Sequence, residues 1–459
     1  MELDSFIIML KNNWQYFLLG LILLVHTFVL TKLFFFPYPE LFIYPYLTNH
    51  GLKPYSQILD QHFPGLLFLP VNFDNLGMTN PGVARIWLMV TVALTQILLF
   101  FISKKIFKSE KKALLVNFLY LIWQPFFEGW VLWIDSFLPV ILLPSFYGLL
   151  KKRFLGVGLL LGVGIVFKQT IIPLSILILI YILASEKNFK TAAKYLCGLT
   201  LPVILMVSYL FSKGSLADFW YWTVIFNLTV YASSGTQIPN SFGFIIRVLF
   251  VYAVSLSGFL NKDRRLIIIL SLFLIGSLAG VFDRANFVHF QPSLPFAILG
   301  TTLGLYSLTK KSTIMILLGL YLGVTVWWQN IFYKGHISEK VFFFDQPTYA
   351  VAKKMRKLTK PGDKIFVFGA VPLLYQMSNT LPAGDIFVFQ FPWFLKVAGT
   401  RVLDGIMADK PRLVVADRTV KIEDQKITDF AREIDQYILQ NYEPIDQVGT
   451  TFILRRKAP

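Results

Sequence analysis

The order of hydrophobic and polar positions divides the chain into two regimes. Up to about residue 335, apolar runs alternate with short polar linkers. Eleven runs approach the roughly 20 apolar residues that a bilayer-crossing helix needs: near 15–36, 84–103, 112–127, 132–150, 153–167, 170–185, 192–212, 241–260, 265–281, 293–309 and 312–332. The third and fifth are short, and Pro125, Pro139 and Pro144 interrupt this part of the pattern. From about Ser338 the periods change. Lys364 to Phe368 is strand-like and ends in a turn at Gly369, and 372–377 is a helical run. Leu413 to Ala416 is strand-like, 426–441 helical, and a last strand near 450–454 follows Gly449. This alternation predicts an α/β domain of about 115 residues. The expected architecture is an α-helical polytopic membrane protein of about eleven spans over 1–335, with a large first outer loop at 37–84. A C-terminal extracytoplasmic α/β domain follows over 336–459.

The linkers set the expected orientation. Lys104, Lys105, Lys108, Lys111 and Lys112 follow the second run; Lys151, Lys152 and Arg153 follow the fourth; Lys187, Lys190 and Lys194 follow the sixth. Lys262, Arg264 and Arg265 follow the eighth, and Lys310 and Lys311 the tenth. Every second linker is basic, so these linkers and the N-terminus are expected in the cytoplasm and the C-terminal segment outside, in a multi-pass plasma-membrane protein. The first run is long and ends in Phe34, Phe35 and Phe36, which favours a retained helix over a cleaved signal.

Composition agrees. The chain is 55% hydrophobic and 15% charged, against about 25% charged in ordinary globular domains. A soluble enzyme, a disordered chain and a disulfide scaffold are excluded, and Cys197 stands alone. A net charge of +17 would suit a nucleic-acid binder. Its location removes that reading: residues up to Gly335 hold 25 basic against 12 acidic side chains, largely in the orienting linkers. The partner implied is the lipid bilayer, with no nucleic acid.

Acids and histidines gather on the side expected to face outward. The first outer loop contains Glu40, His50, Asp60, His62 and Asp74 among aromatics and prolines, and its only Lys or Arg is Lys53. A second outer stretch, 213–240, is rich in Phe, Trp and Tyr and reads as an interfacial amphipathic helix. A third holds Asp283, Arg284, Asn286 and His289 before Pro292 and Pro295. No acid sits at the middle of a run, where transporters usually place one.

Gly51-Leu52-Lys53-Pro54-Tyr55, followed by Asp60-Gln61-His62-Phe63-Pro64-Gly65, resembles the first extracytoplasmic loop of GT-C class polytopic glycosyltransferases. Within that class the nearest likeness is the protein O-mannosyltransferase and aminoarabinose transferase group. Gly156 to Lys168, continuing as Gln169-Thr170, resembles its glycine-spaced helix. Arg284 and His289 before a Pro-rich helix resemble its later outer loop, and Asp363 to Gly369 with Tyr375 resembles the start of its extracytoplasmic domain. Where the group carries Asp-Glu after the first span, this chain has Pro39-Glu40. His62 stands where Lys is common, and Phe63 replaces a Pro.

The resemblance implies transfer of a sugar from a polyprenyl-phosphate donor to an acceptor hydroxyl on protein, lipid or glycan, with inversion, at the outer membrane surface. Such a reaction needs a carboxylate to take the hydroxyl proton and cations to stabilise the departing phosphate. Glu40 and Asp60 are the candidates for the first role, with the choice between them open. Lys168, Arg247, Arg284, His289 and His62 are candidates for binding substrate, and the aromatics of 213–240 for the lipid tail. Each also has a plainer reading: a loop ion pair or cap for the acids, and snorkelling to the interface for Lys168 and Arg247. His50 and Asp74 read as ordinary loop residues. No metal-ligand spacing is diagnostic, and a divalent cation on Glu40, Asp60 and a histidine stays open. A lipid-linked substrate transporter or flippase, and a non-catalytic membrane receptor, are the alternatives.

Overall fold

The computed structural model describes residues 2–234, 242–282, 284–307 and 311–458. Asp283, Lys310 and the end of the second outer stretch, 235–240, lie outside the described residues. The chain forms two compact units, one of residues 1–36, 84–205 and 236–340, the other of 37–83, 206–235 and 341–459.

The first unit is helical, and a helix forms at each of the eleven apolar runs. They are α1 (Glu2–Lys32), α2 (Pro81–Phe107), α3 (Glu110–Gln124), α4 (Ile134–Leu150), α5 (Phe154–Phe167) and α6 (Ile172–Glu186). There follow α7 (Phe189–Ser212), α8 (Phe242–Ser255), α9 (Arg264–Gly276), α10 (Leu294–Ser307) and α11 (Lys311–His336). Among the described residues, seven helical stretches are long and apolar enough to cross a membrane, and α4, α5 and α10 are shorter apolar helices. Little of α11 is buried within the chain, and Leu320, Val326 and Trp327 stand exposed. A face this apolar is stable against lipid and not against water.

Local rules account for the helix ends. Ser109 caps α3 by accepting from the Lys112 N–H, and Asp263 caps α9 by accepting from the Leu266 N–H at 3.0 Å. Pro125 ends α3, whereas α4 runs through both Pro139 and Pro144. Neighbouring helices make such breaks tolerable in a membrane. The glycine spacing of α5 serves close packing on α7. A Cβ on Gly158 or Gly162 would run into the carbonyl oxygens of Tyr195 or Leu199.

Buried His26 of α1 is a feature that hydropathy alone does not reveal. Its Nε2 pairs with Gln124 Oε1 at 2.9 Å, and its Nδ1 with Gln96 Nε2 at 3.0 Å. Asn117 Nδ2 donates to the Gln96 carbonyl at 2.6 Å. The network ties α1, α2 and α3 together by polar contacts inside an apolar layer.

The second unit contains a five-stranded sheet. Its strands are β1 (Lys364–Phe368), β2 (Leu381–Pro382), β3 (Leu413–Ala416), β4 (Tyr442–Val448) and β5 (Thr451–Arg456), in the order β4-β5-β3-β1-β2. β1 runs parallel to β2 and β3, while β4 and β5 form an antiparallel hairpin whose turn holds Gly449 at φ +59°. All of β3 and most of β1 are buried, as an apolar run with no alternation requires. The sequence pattern did not predict β4. Residues 37–83 and 206–235 belong to this unit too, so it is larger than the 336–459 segment expected from the pattern. Ile58–Leu59 of the first outer loop pairs in parallel with Phe387–Val388.

The second outer stretch departs from expectation. Leu216–Trp220 is a short helix continued by a wide π-helical segment, Tyr221–Tyr231. Phe219, Trp222 and Phe226 are buried within the unit: Phe219 meets Tyr55 and Phe63, each at 5.1 Å between ring centroids, and Phe226 stacks on Phe394 at 5.2 Å. These three rings fill a core, so they are withdrawn as a membrane anchor or lipid-tail surface. Trp220 and Leu228 on the other face are exposed.

Candidate functional site

Two groups of chemistry-bearing side chains stand out, one in each unit. In the second unit, Glu40 opens the helix Glu40–Asn49, where a carboxylate is favoured by the helix dipole, and it is buried. Asp60 is 1% exposed. It accepts from the Tyr44 hydroxyl at 2.8 Å and from the His62 backbone N–H at 2.9 Å, and His62 Nδ1 lies 3.1 Å from Oδ2. His62 is itself held by its carbonyl, which accepts from the Tyr55 hydroxyl at 2.8 Å. Burial, and after it the Asp60 and Glu40 carboxylates, push the Tyr44 hydroxyl well above its ordinary range. Tyr44 therefore keeps its proton and donates it. Glu40, Tyr44, Asp60 and His62 form one local group, in which Tyr44 was not anticipated from sequence.

In the first unit, Lys168 does not snorkel. It stands just past the C-terminus of α5 and its Nζ lies 2.7 and 2.6 Å from the two oxygens of Asp135, the second residue of α4. His289, on the short turn Phe287–Phe290, places Nδ1 3.0 Å from Asp135 Oδ2 and 3.2 Å from Lys168 Nζ. Asp135 is 1% and Lys168 6% exposed. If His289 Nδ1 accepts from the ammonium, its Nε2 carries the ring proton and can donate; if Nδ1 donates to Asp135, a neutral ring leaves Nε2 as an acceptor. α4 begins and α5 ends at the same end of this helix pair, and Lys151, Lys152 and Arg153 mark the opposite end.

Arg247 lies in α8 and spreads its guanidinium between two rings, 4.0 Å from the centre of Phe126 and 4.1 Å from that of Phe287. It donates to the Phe126 carbonyl at 3.0 Å. Glu128, on the wide turn Pro125–Gly129, sits at φ +56°, a conformation uncommon for a non-glycine residue. Its carboxylate accepts from the Val288 N–H at 3.0 Å. Burial raises Glu128, while the Val288 N–H and Arg247 oppose that rise. Arg284, half-buried, precedes the turn that carries His289. The first unit thus gathers Asp135 with Lys168 and His289, and Glu128 with Arg247.

Glu40, Asp60 and His62 belong to one unit; Lys168, Arg247, Arg284 and His289 belong to the other. Among the described residues, no group of three or more His, Cys, Asp or Glu side chains is arranged to hold a metal ion. Sequence reasoning passed over Asp135 and Glu128 as site residues. The available signal was an acid at each border of a short apolar run, next to prolines.

Seven helical stretches long and apolar enough to cross a membrane, with a buried ion pair at the ends of two shorter apolar helices, fit a polytopic membrane protein. Residues 62–211 match the family model of dolichyl-phosphate-mannose-protein mannosyltransferase, a GT-C-type glycosyltransferase domain. The match bears out the expected resemblance over about a third of the chain, and it implies a membrane glycosyltransferase of the mannosyltransferase type. It includes His62, Asp135 and Lys168; Glu40, Asp60, Arg247, Arg284 and His289 lie outside it. No curated protein matches the chain.

Proposed function

We propose that this protein transfers a sugar, with inversion, from a polyprenyl-phosphate donor to an acceptor hydroxyl at the outer membrane surface. In this reading the N-terminus is cytoplasmic and residues 336–459 are extracytoplasmic. The acceptor oxygen attacks the anomeric carbon on the face opposite the phosphate. As the new C–O bond forms, the bond to the phosphate oxygen breaks, a carboxylate takes the hydroxyl proton, and the lipid phosphate leaves as an anion. Developing positive charge on the sugar is stabilised by nearby carboxylate, as in glycoside hydrolysis.

We assign the proton-accepting role to the Glu40 and Asp60 pair. Asp60 has its oxygens oriented by Tyr44 and His62, and Glu40 opens the helix Glu40–Asn49, so the two carboxylates are taken together as the base, with Glu40 the one tested. Arg247, Arg284 and His289 are the proposed phosphate ligands. Lys168 is charge-paired with Asp135, and its proposed part is to orient His289.

The observation that supports this reading most strongly is the buried Asp135, Lys168 and His289 cluster. Two of its members lie inside the family match, and it sits at the helix ends expected outside. Purified protein in lipid nanodiscs, given mannosyl and other polyprenyl-phosphate sugars with candidate acceptors, should release polyprenyl phosphate in step with glycosylated product. Glu40→Gln should abolish turnover and leave donor binding intact, whereas Arg284→Ala should weaken donor binding. Wild-type turnover in Glu40→Gln removes Glu40 as the base, and absence of transfer from every donor removes the assignment.

A further inference from the structure

His50 and Asp74, ordinary loop residues by their sequence context, line a cleft of about 470 Å³ in the second unit. Its other walls come from Thr79 and Asn80 and, in the C-terminal segment, from Tyr349, Arg356 and Gln376. The volume falls within the roughly 300–1,000 Å³ of small-molecule sites.

The aromatic part of the lining is ordered. The Tyr46 and His50 rings lie 4.1 Å apart, with the Tyr46 hydroxyl donating to the Thr380 carbonyl at 3.1 Å. Burial, and after it Asp74, pushes that hydroxyl up to about 12, so it remains a donor. Buried Phe344 also lines the cleft, its ring centroid 6.4 Å from that of Tyr349, a residue that is 41% exposed.

The polar part keeps hydrogen-bonding capacity in hand. Arg356 uses Nε on the Met377 carbonyl at 2.6 Å, which leaves its two terminal nitrogens with no bond among the described residues. Asp74 receives the Asn49 amide on one oxygen at 2.8 Å. Asn80 accepts from the Val83 N–H at 3.1 Å, and its NH₂ has no bond among the described residues. The Gln376 amide and Thr79 hydroxyl have no hydrogen-bond partner among the described residues.

This inventory selects a ligand. Asp74 only accepts, Arg356 only donates, and Gln376 and Thr79 do both. A phosphate, which only accepts, would meet the Asp74 carboxylate, and an ammonium would meet Arg356. A polyhydroxylated ring satisfies both kinds of group and presents an apolar C–H face to an aromatic side chain. We propose that this cleft binds an uncharged carbohydrate. Resting on the function proposed above, it serves as an acceptor-side subsite, which makes the acceptor a glycan or glycolipid.

The test needs no donor. Full-length protein in nanodiscs is mixed with methyl α-mannopyranoside, methyl β-glucopyranoside, N-acetylglucosamine or lactose and observed by saturation-transfer NMR. Inorganic phosphate, measured by a radiolabel, and a serine tripeptide are the comparison ligands. At least one sugar should bind, and Gln376→Ala and Asp74→Asn should each weaken it about tenfold, the worth of a hydrogen bond to a well-fitted partner. Tyr349→Ala, at an exposed position that leaves the fold intact, should do the same through loss of the ring face. Silence across the four sugars, unchanged binding in all three variants, or binding of phosphate or peptide in their place overturns the proposal. Sugar binding without any transfer activity would count against the transferase reading alone. Transfer to a non-carbohydrate acceptor with a silent cleft would remove the subsite alone.

Discussion

The Asp135–Lys168 pair offers the sharpest test of how the helical unit is built. Lys168→Met keeps the apolar stem and removes the ammonium, leaving a carboxylate that is 1% exposed. Breaking a buried pair from one side costs about 3–5 kcal/mol, because the remaining charge has lost both water and partner. His289 Nδ1, 3.0 Å from Asp135, stays as one polar contact and places Lys168→Met near the lower end, about 3 kcal/mol. Asp135→Leu strands the ammonium with only an imidazole 3.2 Å away and belongs near the upper end, about 5 kcal/mol. The double variant removes both charges and should lose far less than the roughly 8 kcal/mol sum, since apolar replacements of buried pairs are often close to neutral. Equilibrium unfolding of the four proteins in bicelles by SDS titration, followed by tryptophan fluorescence, gives the coupling energy. A coupling under about 1 kcal/mol, the range of exposed pairs, would refute the claim that this pair is dry and structurally decisive.

Three further outcomes follow from other parts of the molecule. Tyr44→Phe should cost about 1.5–3 kcal/mol, the worth of a hydrogen bond to a charged group, and lower sugar transfer by loosening Asp60; unchanged thermal unfolding and turnover would separate Tyr44 from that carboxylate. Gly162→Leu should destabilise the helical unit by more than the usual 1–3 kcal/mol of overpacking, because the obstacle is the Leu199 backbone, and proteolysis of the detergent-solubilised protein should report it. Burial works against the Asp409 carboxylate, but the Lys364 ammonium and the Gly384 N–H outweigh it and hold it below its ordinary range. Its folded value is depressed, so its stabilisation is present above the ordinary carboxylate range near pH 4 and lost as pH falls through the folded value. The protection factor of the Gly384 amide, its exchange rate taken relative to the intrinsic rate at each pH, should fall on acidification, and Lys364→Met should reduce that pH dependence.

The helices were legible because their signal is local. Lipid demands an uninterrupted apolar run, and each of the eleven runs did fold as a helix, even through Pro139 and Pro144. The strands at 364–368 and 413–416 were legible for the same reason, being short, buried and apolar. β4 was missed because Tyr442–Val448 is a mostly exposed strand with mixed polarity and a proline, held by pairing with β5 and not by burial.

The site residues divide in the same way. Composition and order drew attention to the acids and cations near the helix ends, and Lys168 and His289 were singled out from them. That Lys168 would meet Asp135, 33 positions away, depends on two helices turning back on each other, a long-range contact that no local pattern encodes. The burial of Phe219, Trp222 and Phe226 is similar: an aromatic face suits either a membrane surface or a protein core. The sequence alone determined where the apolar runs fold as helices, how their basic linkers alternate, and which residue types are available for chemistry. Only the tertiary structure decided which charges are neutralised in pairs and which loop residues share a cleft, because those outcomes depend on distances between segments far apart in the chain.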